Sequence, residues 1–328
     1  MNINELRIGV NSALDKQIAT NCALITEIDE QLKPIADSLK EYLSEGKRFR
    51  SLFSLIGFLG ANGELNSSIY EACASLEFLQ ASALIHDDLM DKSDTRRGKP
   101  AMHKQFGEAA AILIGDLALV WNEKSLHDTR IENSNLNSIH DIMRTELMAG
   151  QFLDVYEQTQ SSFSVERSLK IARYKSGKYS IERPLHFGAA LAQPKNFDEY
   201  LTIYSEYGLP LGEAFQLRDD LLGVFGNPSE TGKPAGDDLR EGKRTALIAF
   251  AYDRGSEETK RLIEKKLGTD DIDGLADVIL ESGAPTHVEA LIEKLAEQAL
   301  DAIDREELTT QARKLLTEMV SIVTKRAR

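Results

Sequence analysis

The aspartates of the segment HDDLMD, residues 86–91, are the first whose types and spacing suggest chemistry. Asp87 and Asp91 are four positions apart, which places their carboxylates one above the other on a helix face. Asp88 is rotated away by roughly 100° and can only assist. Oxygen ligands without a nearby Cys or His pair suit Mg²⁺, which keeps some water and bridges to substrate phosphates. A solvated acidic helix end is the alternative for this string alone, and the missing closing Glu disfavours a calcium loop.

Two arginines follow this first acidic cluster (Asp87, Asp88 and Asp91) within six positions. They are Arg96 and Arg97 in the segment RRGKPAMH. Guanidinium forks bind diphosphate oxygens in pairs, and a metal beside them neutralises the same oxygens. The combination predicts a metal-diphosphate site, and a surface charge pair is the alternative.

A second acidic cluster, Asp219 and Asp220, ends another apolar helical stretch in the segment FQLRDDLLG, residues 215–223. Gln216 lies one turn earlier, and Gly223 stands where a third Asp would complete the pattern DDxxD. The charged residues that follow it are Lys233, Asp237, Asp238 and Lys243. Two acidic helix ends, each followed by basic residues, predict that a metal-diphosphate is held between them.

Two smaller basic segments carry candidate phosphate ligands. Lys47 and Arg50 in GKRFR, residues 46–50, are three positions apart and can point to one ligand, although such runs are usually solvated. Lys175 and Ser176 precede Gly177 inside a helical stretch, where glycine costs ~1 kcal/mol relative to alanine. The glycine therefore predicts a break in the helix at which both side chains meet a phosphate.

The elements that must position these residues are helices. Apolar residues recur with helical spacing over 66–91, 107–126, 138–157, 166–192, 197–223 and 244–253. A further stripe over 288–302 follows Pro285, where Thr286 and Glu289 predict a capping box. Loops are predicted near 60–65, 93–101, 127–135, 158–163, 193–196, 226–241 and 268–271. Because no shift in composition divides the chain, we predict a single all-α domain over residues 1–328.

Composition excludes several classes of protein. The 328 residues carry a net charge of −14, which argues against nucleic-acid binding, and 42% are hydrophobic, which excludes disorder. Two cysteines, Cys22 and Cys73, allow no disulfide framework or cysteine metal site and fit a reducing compartment. No stretch reaches the ~18 apolar residues of a membrane span. These features predict a cytoplasmic protein.

Taken together, the motifs resemble those of the trans-isoprenyl diphosphate synthases, the polyprenyl synthetase family. The matching segments are GKRFR (46–50), HDDLMD and RRGKPAMH (86–103), GQFLD (150–154), KSG (175–177), FQLRDD (215–220) and TGKPAGDDLREGKRT (231–245). They occur in the order found in that family. The last segment, together with the shortened second acidic motif, is most similar to bacterial geranylgeranyl diphosphate synthases.

The resemblance implies a metal site and two diphosphate sites. Three Mg²⁺ ions would be held by Asp87, Asp91 and Asp219, with Asp88 and Asp220 in support. Catalysis would depend on these five aspartates together with Lys175 and Lys233. The residues that would bind the allylic diphosphate are Arg96, Lys175, Ser176, Gln216, Lys233 and Lys243. Those that would bind isopentenyl diphosphate are Lys47, Arg50 and Arg97, with Gln80 at a position where many members have a histidine.

The resemblance also implies an architecture and a reaction. The fold would be a bundle of long, mostly antiparallel helices around a deep central pocket, usually as a homodimer. The reaction would be head-to-tail condensation of isopentenyl diphosphate with dimethylallyl, geranyl or farnesyl diphosphate. A class I terpene cyclase and a non-catalytic synthase subunit are the alternatives. The cyclase is disfavoured by a second diphosphate site, and the subunit by the complete first acidic cluster.

Residues before Asp87 predict the length of the product. Each turn of a helix advances ~5.4 Å, close to one isoprene unit. Ser82 and Ala83, one turn before Asp87, are small, whereas bulky aromatic residues here would stop growth at fifteen carbons or fewer in the family. Leu79 and Phe78, one turn further, are large enough to form a floor. We therefore expect geranylgeranyl diphosphate, with farnesyl or longer diphosphates as the alternatives.

Overall fold

The computed structural model describes residues 1–160, 162–227 and 235–325, and nearly all of its regular structure is helical. The α-helices are α1 Ile3–Ile28, α2 Lys33–Ser44, α3 Phe49–Gly60, α4 Ser67–Met90, α5 Met102–Phe106, α6 Glu108–Asp128, α7 Ser134–Gln158, α8 Val165–Ala172, α9 Arg183–Ala192, α10 Phe197–Phe225, α11 Asp237–Arg240, α12 Ala246–Arg254, α13 Glu257–Lys266, α14 Leu275–Glu281, α15 Ala284–Ala302 and α16 Thr310–Thr324. A 3₁₀ turn spans Glu30–Leu32, and a π-helix spans Arg173–Glu182. The predicted all-α class is confirmed.

Helix α4 carries the first acidic cluster at its carboxyl end. It begins where the Asn66 side chain accepts a hydrogen bond of 3.1 Å from the Ile69 amide, which satisfies one of the free N–H groups of a helix start. The helix packs against α1, α3 and α6, and most of its apolar side chains are buried. Because the helix is held on several sides, the aspartates at its end have a fixed direction.

Helix α10 carries the second acidic cluster and joins two groups of buried apolar residues. Phe215 packs with the larger group, which includes α3, α4 and α6. Leu217 and Leu221 pack with the smaller group, which includes α12 and α15. The predicted single domain stays a prediction, and this shared helix supports it.

The helical stretch predicted over 166–192 is interrupted as Gly177 indicated. Residues 173–182 form a π-helix between α8 and α9. Gly177 lies against Gly212 of α10, where a Cβ on Gly177 would lie 3.1 Å from the Gly212 carbonyl carbon and a Cβ on Gly212 would overlap the Gly177 Cα. The two glycines let the π-helix approach α10 one turn before Gln216.

Two predictions of local structure differ from what the structure shows. The capping box of Thr286 and Glu289 is wrong, because α15 already begins at Ala284 after Gly283, whose positive φ of 76° reverses the chain. Glu289 pairs instead with Arg218, with oxygen–nitrogen distances of 2.6 Å.

The loop predicted near 93–101 contains a short antiparallel ladder of strands β1, Thr95–Arg96, and β2, Lys99–Pro100. Its turn is formed by Arg97 and Gly98, both with positive φ. The ladder folds Arg96 back towards the end of α4. Within the described ranges, no helix is long and apolar enough to cross a membrane.

Candidate active site

Asp87 and Asp91 lie on one face at the end of α4, and each contacts a lysine from another element. The Asp87 Oδ1 atom is 3.0 Å from Lys175 Nζ and accepts a hydrogen bond of 2.8 Å from Gln151. The Asp91 Oδ2 atom is 2.9 Å from Lys243 Nζ. Lys175 and Lys243, which the resemblance implies as ligands of the allylic diphosphate, thus both contact the first acidic cluster, whereas Gln151 received no role from the sequence.

The two carboxyl groups have opposite electrostatic settings. Burial raises the pKa of the Asp91 carboxyl, and the neighbouring Asp87 charge adds to this effect against the opposing charge of Lys243. Burial also acts to raise the pKa of Asp87, but Lys175, Lys243 and Arg96 outweigh it and lower that pKa. Asp91 is thus the carboxylate that gains most from another cation.

Asp88 points away from this face and holds Arg96. Its side chain is 1% exposed, and its two oxygens accept hydrogen bonds of 2.9 and 3.1 Å from Arg96 Nε. Arg96 Nη2 also contacts Asp88 Oδ1 and lies 3.8 Å from Asp87 Oδ2. Burial acts to lower the pKa of Arg96, but the Asp88 charge overcomes this and raises it. Asp88 therefore orients the Arg96 guanidinium, and its predicted role in supporting the metal stays a prediction.

The residues expected to bind isopentenyl diphosphate occupy neighbouring positions around the start of α3. Arg50 donates a hydrogen bond of 2.6 Å to Ser180, and its guanidinium lies 4.1 Å from the centre of the Tyr179 ring. The Tyr179 hydroxyl donates to Gln80 Oε1 at 3.0 Å, which links Gln80 to the same corner.

Arg97 lies beside the GKRFR segment at this corner. It donates two hydrogen bonds of 3.0 Å to the carbonyls of Tyr42 and Glu45. A Cβ on Gly46 would lie 3.6 Å from its Nη2 atom. The Lys47 ammonium is 5.6 Å from the centre of the Phe49 ring.

Within the second acidic cluster, Asp220 is buried and Asp219 is half-buried. Asp220 accepts hydrogen bonds from Gln216 at 2.9 Å and from the Ala246 amide at 3.1 Å. Burial raises the pKa of Asp220 to about 7. Gln216, expected on the allylic diphosphate, therefore contacts Asp220 in the structure. Through its hydrogen bond with the Ala246 amide, Asp220 links α10 to the start of α12. Asp219 is the more accessible carboxylate of the two.

Lys243 lies between the first acidic cluster and the acidic side chains of the segment that contains α11. Its Nζ atom is 2.9 Å from Asp91, 3.4 Å from Asp238 and 2.5 Å from Glu241. Glu241 in turn accepts a hydrogen bond from Ser93, just beyond α4. Glu241 received no role from the sequence, although its place two residues before Lys243 in REGK was a usable signal.

Lys175 connects the first acidic cluster to α7. Its Nζ atom is 2.6 Å from Asp154 and 3.0 Å from Asp87. Ser176 beside it is buried. Lys233, expected on the allylic diphosphate, lies outside the described residues.

The donor set fits a hard divalent cation. Both oxygens of Asp91 are buried and accept no hydrogen bond in the described part of the chain. In those same ranges, no three His, Cys, Asp or Glu side chains converge closely enough to hold a metal by themselves. Mg²⁺ is commonly bound by one or two carboxylates together with substrate phosphates and water. The carboxylates here suit that mode of binding.

Below the acidic cluster, the residues expected to set chain length differ in exposure. Ala83, on the face of Asp87, is partly exposed, whereas Ser82, Leu79 and Phe78 are fully buried. The Phe78 ring meets Trp121 edge to face, with ring centres 5.9 Å apart. Because Phe78 lies nine positions before Asp87, about half a turn around the helix from it, its role in chain length stays a prediction.

Comparison with known proteins agrees with this geometry. The polyprenyl synthetase model matches residues 32–279. A crystal structure of geranylgeranyl pyrophosphate synthase from Corynebacterium glutamicum, complexed with isoprenyl diphosphate and magnesium, is similar with a TM-score of 0.93; it is 37% identical and covers 99% of this chain and 100% of that one. Geranylfarnesyl diphosphate synthase of Aeropyrum pernix is 32% identical over 86% of this chain and 91% of its own. The (2E,6E)-farnesyl diphosphate synthase of Mycobacterium tuberculosis is 29% identical over 84% of this chain and 77% of its own.

Proposed function

Because this chain belongs to the polyprenyl synthetase family and is a trans-prenyltransferase, we propose that it condenses isopentenyl diphosphate head-to-tail with an allylic diphosphate to give mainly geranylgeranyl diphosphate. The observation that carries the proposal is the position of Lys243. One ammonium group lies within 3.4 Å of Asp91 at the end of α4 and of Asp238 beyond α10. The first acidic cluster and the Asp238 carboxylate, which lies against Gly223 near the end of α10, therefore border a single charged gap, which suits a metal-diphosphate.

Each group of side chains has a separate task in this reaction. Asp87, Asp91 and Asp219 would hold Mg²⁺, three ions by resemblance, and when bound the metal supplies Lewis acidity that stabilises the departing diphosphate. Arg96, Lys175 and Lys243, with Ser176, Gln216 and Lys233, would orient the allylic diphosphate. Lys47, Arg50, Arg97 and Gln80 would bind isopentenyl diphosphate.

Bond formation follows from this placement. The allylic C–O bond breaks, its electron pair leaves with the diphosphate, and the double bond of isopentenyl diphosphate attacks the allylic cation. A proton is then lost from the adduct to the departing diphosphate. Because positive side chains aimed at the developing negative charge need little reorganisation, they stabilise the charge-separated transition state. The apolar helices around the gap exclude water, which would otherwise capture the cation.

The product length is argued from α4. Ala83 is small and partly exposed one turn before Asp87, so it leaves room for the chain. Leu79 or Phe78, one turn further, would form the floor, and Phe78 packs against Trp121. The names of the relatives extend from farnesyl to geranylfarnesyl diphosphate synthases, which bracket the twenty-carbon product.

A second copy of this chain is the proposed partner. Leu113 and Val120 on α6 are seven positions apart, hence on one face, and are 68% and 60% exposed. Adjacent Ile112 is 47% exposed. Such an apolar face on an otherwise charged protein favours burial against a like face. The predicted cytoplasmic location stays a prediction.

Incubation of the purified chain with isopentenyl diphosphate, geranyl or farnesyl diphosphate and Mg²⁺ tests the proposal. We expect linear prenols after removal of the phosphates, with the twenty-carbon alcohol dominant in chromatography. A reaction without isopentenyl diphosphate is the control. Cyclic hydrocarbons from that control would identify a cyclase instead, and no product until another protein is added would identify a non-catalytic subunit.

A further inference from the structure

The second acidic cluster lacks its third acid at Gly223, one turn beyond Asp219 on α10. A Cβ on Gly223 would overlap Oδ2 and Cγ of Asp238 and lie 3.2 Å from its Cβ. The three nearest atoms all belong to Asp238. The Asp238 carboxylate, carried by α11, thus occupies the space where a side chain on residue 223 would begin.

The surroundings of Asp238 direct it towards the first acidic cluster. Its Oδ1 atom is 3.4 Å from Lys243 Nζ, which is itself 2.9 Å from Asp91 Oδ2. The Asp91 side chain is 1% exposed, and neither of its oxygens accepts a hydrogen bond in the described ranges. A buried carboxylate is costly unless a cation compensates it, and the Lys243 ammonium is the cation beside Asp91 in this structure. Asp238 and Asp91 therefore border the same cation-binding space.

We propose that Asp238 supplies the third carboxylate of the second acidic cluster and binds, directly or through water, the divalent cation that Gly223 cannot hold. This inference rests on the proposed function. The metal site of this chain is then assembled from two helices, α10 and α11. Glycine at position 223 is required for this arrangement, because any side chain there would displace the carboxylate of Asp238.

Because Asp238 and a side chain at position 223 would occupy the same space, a carboxylate at either position should serve the same cation. Asp238→Ala removes the carboxylate and opens space beside residue 223. Adding Gly223→Asp to that variant returns a carboxylate to the same space from α10. Gly223→Asp alone places two carboxylates in one volume, so it should weaken metal binding.

Binding of Mn²⁺ in the presence of inorganic diphosphate, followed by the electron paramagnetic resonance signal of free Mn²⁺, tests the proposal without turnover. We expect Asp238→Ala and Asp238→Asn to lower Mn²⁺ affinity at least ~10-fold, the range for loss of a group that supports a metal site. The double variant Asp238→Ala/Gly223→Asp should recover most of the affinity. Asp277→Ala, an exposed aspartate on α14, is the matched control and should bind as the wild type does.

Two results overturn the assignment. Wild-type affinity in both Asp238 variants would show that Asp238 does not act on the metal, and a loss in Asp237→Ala alone would assign the role to its neighbour. These outcomes leave the proposed function standing. Failure of the wild-type chain to bind Mn²⁺ with diphosphate would overturn the proposed function and this assignment together.

Discussion

Replacing Asp88 by alanine should destabilise the protein more than any other single change in the first acidic cluster. Asp88 is 1% exposed and accepts two hydrogen bonds from Arg96 Nε, at 2.9 and 3.1 Å, and a further one from Nη2. Without the carboxylate, the largely buried Arg96 guanidinium keeps its charge but loses its hydrogen-bonded counter-ion, while Asp87 Oδ2 remains 3.8 Å from it. Removing one partner of a buried pair costs about 3–5 kcal/mol.

The size of the effect in Tm follows from chain length. Unfolding entropy grows by ~2.1 cal/mol/K per residue, so 328 residues convert that cost into a fall in Tm of about 4–7 °C.

Asp91→Asn should instead raise the Tm. Burial raises the pKa of Asp91, so its ionised form costs stability above the ordinary pKa of a carboxyl, and a neutral amide removes that cost.

Differential scanning calorimetry at pH 8 in EDTA measures these changes. The double variant Asp88→Ala/Arg96→Ala should recover much of the loss, because it leaves no unpaired charge behind. The reasoning would be refuted if the Tm of Asp88→Ala lay within about 1 °C of the wild-type Tm, because the expected fall is several degrees. A double variant whose loss is the sum of the two single losses would refute it as well.

Three further predictions concern binding, pH and product length. Arg97→Ala should mainly raise KM for isopentenyl diphosphate and Lys233→Ala should mainly affect the allylic substrate; identical steady-state kinetics for the two would contradict the site assignment. Burial raises the pKa of Asp220 to about 7, so ionisation of this carboxyl costs stability. The gain in Tm from Asp220→Asn should therefore grow between about pH 4 and 7 and then level off. A gain in Tm that did not depend on pH would contradict this prediction. Ala83→Phe and Ser82→Phe should both shorten the product to farnesyl diphosphate or less by chromatography, and enclosed Ser82 should also lose about 1–3 kcal/mol of stability; an unchanged product in both would show that the pocket does not follow this face.

Local sequence patterns predicted the helices well because their apolar stripes reflect burial on one or more sides. The stretch predicted over 197–223 is α10, Phe197–Phe225, and that over 66–91 is α4, Ser67–Met90. The predicted start of α15 was wrong. The helix begins directly after Gly283, which has a positive φ, and so Thr286 already lies inside the helix. The form of the break at Gly177 depends on contact with Gly212, thirty-five positions away, which periodicity does not contain.

The candidate site was predictable where spacing on one helix decides it, as for Asp87 and Asp91. The partnership of Asp88 with Arg96 was not, because it requires the β1–β2 turn to fold Arg96 back onto α4. The approach of Asp238 to Gly223 likewise depends on the packing of α11 beside α10, which neither segment shows by itself. Helix phase gives the direction of a side chain, but not the partner that another segment brings to it.

The most direct test of the account is the rate of condensation by the purified chain as Mg²⁺ is removed and restored. The proposed mechanism predicts that activity is lost in excess EDTA and returns with Mg²⁺ or Mn²⁺. It also predicts that Asp87→Ala lowers the rate at least ~10²-fold, the size expected for one key electrostatic group. Full activity in excess EDTA would contradict the claim that a metal held by the two acidic clusters drives loss of the allylic diphosphate.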